Sequence, residues 1–525
     1  SGLLFGTGML PRISSAAPAP LSNRILVNLF LNGGPDFRHL IVPAYDATPG
    51  SFGNKYWSNR WRAHRLAQNN QNTWQQRWDD DYYPITVGGQ NWPAGIAVDE
   101  GGLNAGVTFG IWREAGWLID MFRAGHVALV FNAVGGTNRA HDLSTLMLNQ
   151  GNVLSGLNNA DRSGWGGRLA RSAGGNSVSL ISSPSAFNFG PVGDAPNYNP
   201  DAIDNRDLLS VDNARDMGLF DPTPDNYEFN DFDNKMARAA KSYYAGLRQE
   251  AIHQAYEKFL DHESKVREFG ELIQERLLTV PVPTLINALR NGVDGINPDP
   301  NNAGVTGRRV LRRTGFGTQI RNLYDVIAAN DHLDPRVLAM NYGGWDSHSN
   351  QRQIPGVLNS DPNNPYESRG IESGLRDIFE GQYGGSPSNS SALHGGFSAL
   401  WASLPSEDRE KMVLTIAGEF GRQIRDNGDA GTDHGKGNLM MVISEQCNGG
   451  IYGEMFPASE LAKYDEPPNR TPDITPRTEI DPLFAEVCDW VSPGSGLSVF
   501  PRTAPGYTGS APIIEAPGLF SNLMI

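Results

Sequence analysis

The clearest pattern in this chain is a set of short, mostly apolar runs without alternating polar positions. They cover residues 24–31, 126–131, 336–342, 411–417 and 439–444. Such runs are typical of strands buried on both faces of a mainly parallel sheet, because a strand with one solvated face alternates apolar and polar residues. Each run adjoins a loop that contains glycine. The pattern therefore predicts an α/β fold with a large, mainly parallel central sheet.

Acidic and imidazole side chains are concentrated in the loops beside these runs. Two loops carry an aspartate close to a histidine, Asp346 with His348 and Asp433 with His434. Carboxylate oxygen together with imidazole nitrogen suits a divalent ion such as zinc or manganese. In mainly parallel sheets, ligands bind outside the carboxyl ends of the strands. We therefore expect the polar residues of these loops to converge: Asp36, Asp346, His348, Glu419, Asp433 and His434.

A purely structural role is the alternative for the Asp/His pairs. Aspartate often caps turns, and a loop histidine often does no more than make a hydrogen bond. Two pairs in the same structural context favour metal binding over that alternative. The loop at 291–307 is also rich in Asp and Asn, but it lacks the calcium spacing of an EF-hand, which favours ordinary turn chemistry there.

The composition indicates a globular protein and argues against two classes of partner. Of the 525 residues, 39% are hydrophobic, and the net charge is −15. That charge argues against nucleic acid, whose backbone attracts an excess of Lys and Arg. No apolar run approaches the roughly 20 residues that a membrane-spanning helix needs. We predict one α/β domain over residues 24–525, with no nucleic-acid partner and no membrane span.

The chain's beginning and its cysteines bear on cellular location. Residues 1–23 contain a short apolar stretch followed by small residues and prolines, which predicts a signal remnant or an N-terminal arm. Both alternatives favour export, to the periplasm or out of the cell. In an oxidising compartment, Cys447 and Cys488 could form a disulfide; two buried free thiols are the alternative.

Two stretches between the predicted strands are expected to be insertions, at about 47–100 and 189–330. Residues 56–83 are rich in Trp, Arg, Asn, Gln and Asp and show neither helical nor strand periodicity. Residues 231–278 instead carry apolar side chains at the spacing of a helical face. The latter segment predicts a helical pair packed over one face of the sheet.

Six motifs occur in an order that resembles a bacterial family of exported proteins. They are LFLNGGPD at 29–36, NRAH at 138–141, GWGGR at 164–168, GWDSH at 344–348, EFGR at 419–422 and GTDHG at 431–435. The family is domain of unknown function family 1501, which is similar to the sulfatases of the alkaline phosphatase superfamily. The resemblance covers the sheet-forming parts between about residues 26 and 442. It implies an alkaline-phosphatase-like three-layer sandwich with one or two divalent ions (zinc, manganese, magnesium or calcium).

Carried over position by position, the resemblance implies roles for individual residues. Glu419 would be a metal ligand or a group that supports the ligands, and Arg422 would bind the substrate anion during catalysis. The late histidine that alkaline phosphatases use is missing here, so His39 or His141 would replace it, and His141 would be one of the catalytic residues. The implied metal ligands are Asp36, Asp346, His348, Asp433 and His434.

This sequence departs from the family at the candidate nucleophile. Family members usually have serine where this chain has Ala140, and alanine can neither attack nor ligate. Thr137 would be the substitute, with Ser144 as the weaker candidate. The departure reduces the expectation of catalysis more than the expectation of metal binding.

Two functions therefore remain open. The first is an exported metal-dependent hydrolase of a phosphate or sulfate ester, with attack by Thr137 or by water that the metal activates. The second is a noncatalytic extracellular or cell-surface protein that keeps the fold and an ion. Its aromatic and Asn-rich insertions would then bind a glycan or a protein partner.

Overall fold

A computed structural model describes most of the predicted α/β domain. It covers residues 23–93, 98–156, 162–181, 183–191, 208–212, 315–352, 370–381, 395–466 and 472–525, together with residue 214 and scattered positions between 239 and 286. The N-terminal arm up to residue 22 lies outside the described residues. So do most of the predicted helical pair at 231–278 and the loop at 291–307.

The architecture is α/β, with a large mixed and mostly parallel central sheet of ten strands. The strands are β1 (Ile25–Leu31), β4 (Val98–Glu100), β6 (Val127–Val134), β7 (Asn176–Ser179), β8 (Leu208–Ser210), β9 (Pro335–Tyr342), β10 (Met412–Ala417), β11 (Asn438–Ile443), β12 (Gly450–Tyr452) and β13 (Thr478–Glu479). All five predicted strands are confirmed. The strand order is β4-β12-β6-β11-β10-β1-β9-β7-β8, with β13 paired to β6, and β11 runs antiparallel to both of its neighbours.

Burial on both faces explains why the central strands lack polar alternation. Every residue of β1 is buried. Val27 and Leu29 belong to the apolar core on one face of the sheet, whereas Leu26 and Phe30 belong to the core on the other face. Successive side chains of a strand point to opposite faces, so a strand between two cores needs apolar residues at every position.

Helices flank the sheet on both faces. Helices α4, α7, α9 and α10 contribute to the first core, and α6 and α13 contribute to the second. The described helices are α1 (Phe37–Leu40), α2 (Phe52–Arg60), α3 (Gln71–Asp81), α4 (Gly116–Arg123), α5 (His141–Gln150), α6 (Trp165–Ala173), α7 (Gly315–Ala328), α8 (Asn330–Leu333), α9 (Ile371–Phe379), α10 (Gly396–Ser403), α11 (Ser406–Arg409), α12 (Ala458–Lys463), α13 (Ile480–Val491) and α14 (Gly496–Val499).

Residues 56–83, within the insertion at 47–100, form regular structure although their sequence shows neither helical nor strand periodicity. They contribute to α2, α3 and the strand β3 (Tyr82–Thr86), which pairs antiparallel with β5 (Thr108–Trp112) beside β2 (Ile41–Pro43). Helix α3 is mostly polar, but Trp74 and Trp78 lie one turn apart and are both buried. Two large buried aromatic side chains on one face are enough to pack a helix against the core, but they are too few to give the sequence a detectable apolar periodicity.

The two cysteines do not form the disulfide considered from sequence. Cys447 and Cys488 are both free and buried. Cys447 lies in the loop after β11, whereas Cys488 lies inside α13 among apolar side chains. Burial raises the pKa of both thiols, to about 12 for Cys447. Among the described helices, none is long and apolar enough to cross a membrane.

Candidate metal centre

The sheet order brings the predicted loops to one edge. Strands β6, β11, β10, β1 and β9 are consecutive neighbours. Because β11 is antiparallel, its amino end lies beside the carboxyl ends of the other four. The predicted convergence at this edge has a simple topological basis. The loops there carry Asp36 after β1, His141 after β6, Asp346 and His348 after β9, Glu419 and Arg422 after β10, and Asp433 and His434 before β11.

Three of these side chains form a group that could hold an ion. His141, Asp346 and His434 each offer one ligand atom, and these atoms lie within 4.8 Å of one another. The Nε2 atom of His434 is 2.9 Å from Oδ1 of Asp346, and the Nε2 atom of His141 is 3.4 Å from Oδ2. Sequence reasoning gave His141 a catalytic role, but the geometry places it among the candidate ligands.

His348 lies beside this group and is held by Asp433. Its Nε2 atom is 2.9 Å from Nε2 of His434 and 3.1 Å from Oδ1 of Asp346. Its other ring nitrogen, Nδ1, is 3.1 Å from Oδ1 of Asp433. Two of the predicted ligands, His348 and His434, therefore contact the same carboxylate. Asp433 contacts the other nitrogen of the His348 ring, on the side that faces away from Asp346.

Each of the three imidazoles has its Nδ1 atom next to an oxygen acceptor. Nδ1 of His141 is 2.8 Å from Oε1 of Glu419, and Nδ1 of His434 is 2.8 Å from the carbonyl oxygen of Arg139. In a neutral ring, a proton donated from Nδ1 leaves a lone pair on Nε2, which is the arrangement that metal-binding histidines commonly show. The structure thus presents Nε2 atoms toward one place.

The spacing between these atoms fits ligands around one ion. Zinc binds nitrogen at about 2.0–2.1 Å, so two ligands at angles of 90–110° lie about 2.9–3.4 Å apart. The four separations between Asp346 and the imidazoles, and between His348 and His434, span 2.9–3.4 Å. Two ring lone pairs at 2.9 Å repel each other unless a cation or a shared proton lies between them.

The charge of Asp346 is stabilised by its neighbours. Burial on its own acts to raise the pKa of this carboxyl, but the hydrogen bond from Arg422 and the adjacent imidazole of His434 outweigh burial and lower the pKa below its ordinary range. Hydrogen bonds from Asn427 and His348 likewise outweigh burial and lower the pKa of Asp433. Both carboxyls are thereby kept ionised, the form in which a carboxylate accepts hydrogen bonds or binds a cation.

The guanidinium of Arg422 makes its hydrogen bonds with other groups of the protein. Its side chain is fully buried, with 0% exposure, and Nη2 donates to Oδ1 of Asp346 at 2.8 Å. A guanidinium with all its nitrogens engaged in this way joins loops, and the anion-binding role predicted for Arg422 stays a prediction. The guanidinium also donates to the carbonyl oxygens of Gly33, Gly34, Trp345 and Thr432.

Glu419 supports the site from beneath. Its buried carboxylate accepts hydrogen bonds from the backbone N–H groups of Gly33 and Gly34, at 2.9 and 3.1 Å, in addition to that from His141. Glycine is required at Gly33, where φ is +122° and a Cβ atom would lie 2.3 Å from the backbone nitrogen of Asp346. Of its two predicted roles, Glu419 has the one that fixes a ligand's orientation.

Two other predicted residues, Asp36 and His39, pair with groups away from the candidate ligands. Asp36 is buried in an ion pair with Arg60, on helix α2. His39 is also fully buried, with Nε2 2.8 Å from Glu372 and its ring stacked on His64. Burial lowers the pKa of His39 despite the carboxylate beside it. Asp36 thus acts at the base of the site, and His39 belongs to a separate buried cluster.

The candidate nucleophiles have other partners. The hydroxyl of Thr137 is 3.4 Å from the carbonyl oxygen of Val153. The hydroxyl of Ser144 donates to Asn138, whose side-chain oxygen also accepts from the backbone N–H of Ala140. Ala140 is the residue before helix α5, and His141 begins that helix. The motif Asn-Arg-Ala-His therefore serves to start α5 and to present His141.

Sequence reasoning missed two residues that hold the loops together, Arg60 and Gln351. Both are polar residues in segments without a motif, and no local signal distinguishes them. His141 had a usable signal, because it follows a buried strand and a glycine pair in the same way as the predicted ligands. No family model, curated protein or solved structure matches this chain. The family resemblance thus rests on the six motifs alone.

Proposed function

We propose that this chain is a metal-dependent hydrolase of phosphate or sulfate esters, built on an alkaline-phosphatase-like fold. The observation that carries the proposal is the group of His141, Asp346 and His434, with both imidazoles oriented through Nδ1. Imidazole nitrogens combined with one carboxylate favour zinc or manganese over magnesium and calcium, which prefer oxygen ligands. The described residues contain one such group, so we propose a single bound ion.

In this proposal, one set of residues binds the ion and another residue transfers protons. His141, Asp346 and His434 would hold the ion, which when bound polarises the ester oxygen and neutralises developing charge. His348 is partly exposed, and Asp433 orients its ring. Nε2 of His348 is therefore placed to take a proton from attacking water and return it to the leaving group. Water is the proposed attacker, because Thr137 has its hydroxyl directed to Val153.

The remaining parts of the proposal come from the sequence pattern. The order of the six motifs supports membership of the sulfatase-like family, and the strand-end loops lie at one edge of the sheet as that fold requires. The apolar and small-residue pattern within residues 1–23 supports export to the periplasm or the cell exterior.

A metal-content and turnover experiment tests the proposal. Protein purified without chelator is analysed for bound metal and assayed with p-nitrophenyl phosphate and p-nitrophenyl sulfate. His434→Gln should lose both metal and turnover. His126→Gln is the matched control, because His126 is a half-buried histidine just before β6, away from the candidate ligands, and this variant should keep both. A wild-type protein that binds no metal contradicts the proposal.

A noncatalytic, metal-stabilised protein is the second candidate. It is favoured by the 2.9 Å separation between His348 and His434, since a fourth protein ligand closes the site, and closed four-ligand zinc sites are structural. His348→Gln separates the candidates. If His348 moves protons, the variant keeps its metal and loses turnover. If His348 is a ligand, metal affinity falls, and the wild type binds metal without hydrolysing either ester.

A further inference from the structure

The side chain of Gln351 lies fully buried at the base of the candidate metal centre. Its Nε2 atom is 3.0 Å from Oδ2 of Asp36, 3.0 Å from the hydroxyl of Ser347 and 2.7 Å from the hydroxyl of Thr432. These partners lie in the loops after β1, after β9 and before β11. One amide group therefore contacts three separate segments of the chain.

Two of these contacts are next to candidate ligands or to the residue that orients one of their neighbours, since Asp433 holds the ring of His348. Ser347 lies between Asp346 and His348, and Thr432 immediately precedes Asp433. A shift of either hydroxyl would move the adjoining ligand, because neighbouring residues share a backbone. Ligand loops tied to one buried group have a fixed separation before any ion binds, and such supporting contacts commonly set metal affinity.

The third contact anchors the amide to helix α2. Asp36 is paired with Arg60, whose Nε and Nη2 also donate to the carbonyl oxygens of Ile424 and Gln423, at 2.7 and 2.6 Å. All of these groups are buried. Gln351 thus joins the ligand loops to a network that reaches into the insertion at 47–100.

Stability alone is a poor reason for a glutamine at this position. Its Oε1 atom is buried and has no hydrogen-bond partner among the described residues, and a buried acceptor without a donor is unfavourable. We propose that Gln351 is a positioning residue that sets the distance between the Asp346–His348 loop and the Asp433–His434 loop. This role rests on the proposed metal centre.

The test compares metal affinity with stability in Gln351→Met, which keeps the volume and removes the amide. Zinc and manganese binding are measured by calorimetry, and unfolding of the metal-free protein is measured in urea. We expect affinity to fall by about 10- to 100-fold with little change in the urea midpoint, because Asp36 keeps its ion pair with Arg60 and the removal of the unpaired oxygen offsets the loss of the amide's hydrogen bonds.

A matched control separates positioning from general packing. Asn322 on helix α7 is also a fully buried amide, and it donates to the carbonyl oxygens of Val211 and Asp212, away from the ligand loops. Asn322→Leu should lower the urea midpoint and leave metal affinity unchanged. The role is overturned if Gln351→Met binds metal as the wild type does, or if its affinity falls only in proportion to its stability. A wild type that binds no metal instead overturns the metal centre itself, and the role of Gln351 with it.

Discussion

Replacing Arg422 by lysine tests whether this residue is a structural tie or an anion clamp. The guanidinium contacts five acceptors, namely four carbonyl oxygens and one oxygen of Asp346, through three nitrogens that point in different directions. Lysine keeps the positive charge but offers three N–H donors on one nitrogen. At least two buried acceptors then lack a donor. At about 1–3 kcal/mol for each, the free energy of unfolding should fall by about 2–6 kcal/mol.

The assay is urea unfolding of the metal-free protein, followed by circular dichroism. Arg139→Lys is the control, because Arg139 is partly exposed and its side chain pairs with one carboxylate, that of Asp473. This control should change the free energy of unfolding by less than about 1 kcal/mol. If Arg422→Lys is as stable as the control and only its KM for an anionic ester changes, the structural role of Arg422 is refuted and its anion-binding role is supported.

Two further substitutions test the support of the site and a second buried cluster. Glu419→Gln should leave one N–H group of Gly33, Gly34 or His141 without a carboxylate acceptor, so metal affinity should fall by about 10- to 100-fold in calorimetry; unchanged affinity would show that His141 needs no support. Burial raises the pKa of Asp481 to about 6, with Arg502 opposing and Glu479 adding to the rise. A carboxyl with a raised pKa stabilises the fold below its unfolded pKa and loses that contribution as the pH rises through about 6. Between about pH 4 and pH 7, the free energy of unfolding of Asp481→Asn should therefore rise relative to that of the wild type by up to about 3 kcal/mol, as measured by urea unfolding. A difference between the two proteins that is independent of pH would contradict this.

The sheet was accessible to sequence reasoning because its strands carry a strong local signal. A strand between two cores needs apolar residues throughout, and each of the five predicted runs is a strand. Helices α2 and α3 were not predicted, because both are mostly polar and show almost no apolar periodicity. A few buried aromatic side chains and the side chains that cap their amino ends hold them in place. The disulfide considered for Cys447 and Cys488 could not be judged from sequence, since spacing along the chain gives no distance in space.

The candidate metal centre shows the same division between local and tertiary information. Chain topology alone places residues after parallel strands at one edge, so the convergence of Asp346, His348 and His434 could be anticipated. Which residues would face an ion could not be anticipated, because that depends on competing partners. Asp36 and His141 both follow a strand, yet Arg60 draws Asp36 into the protein while Glu419 turns His141 toward Asp346.

Competition for partners also bears on the anion-binding role predicted for Arg422. A guanidinium binds a phosphate or sulfate only if its donors are free, and the sequence does not show the carbonyl groups that come near it. Arg422 is buried, and its donors are engaged with four carbonyl groups and Asp346. The charge that would attract an anionic ester must therefore come chiefly from the ion that His141, Asp346 and His434 would hold. Metal binding is accordingly the property on which every other functional statement about this site depends.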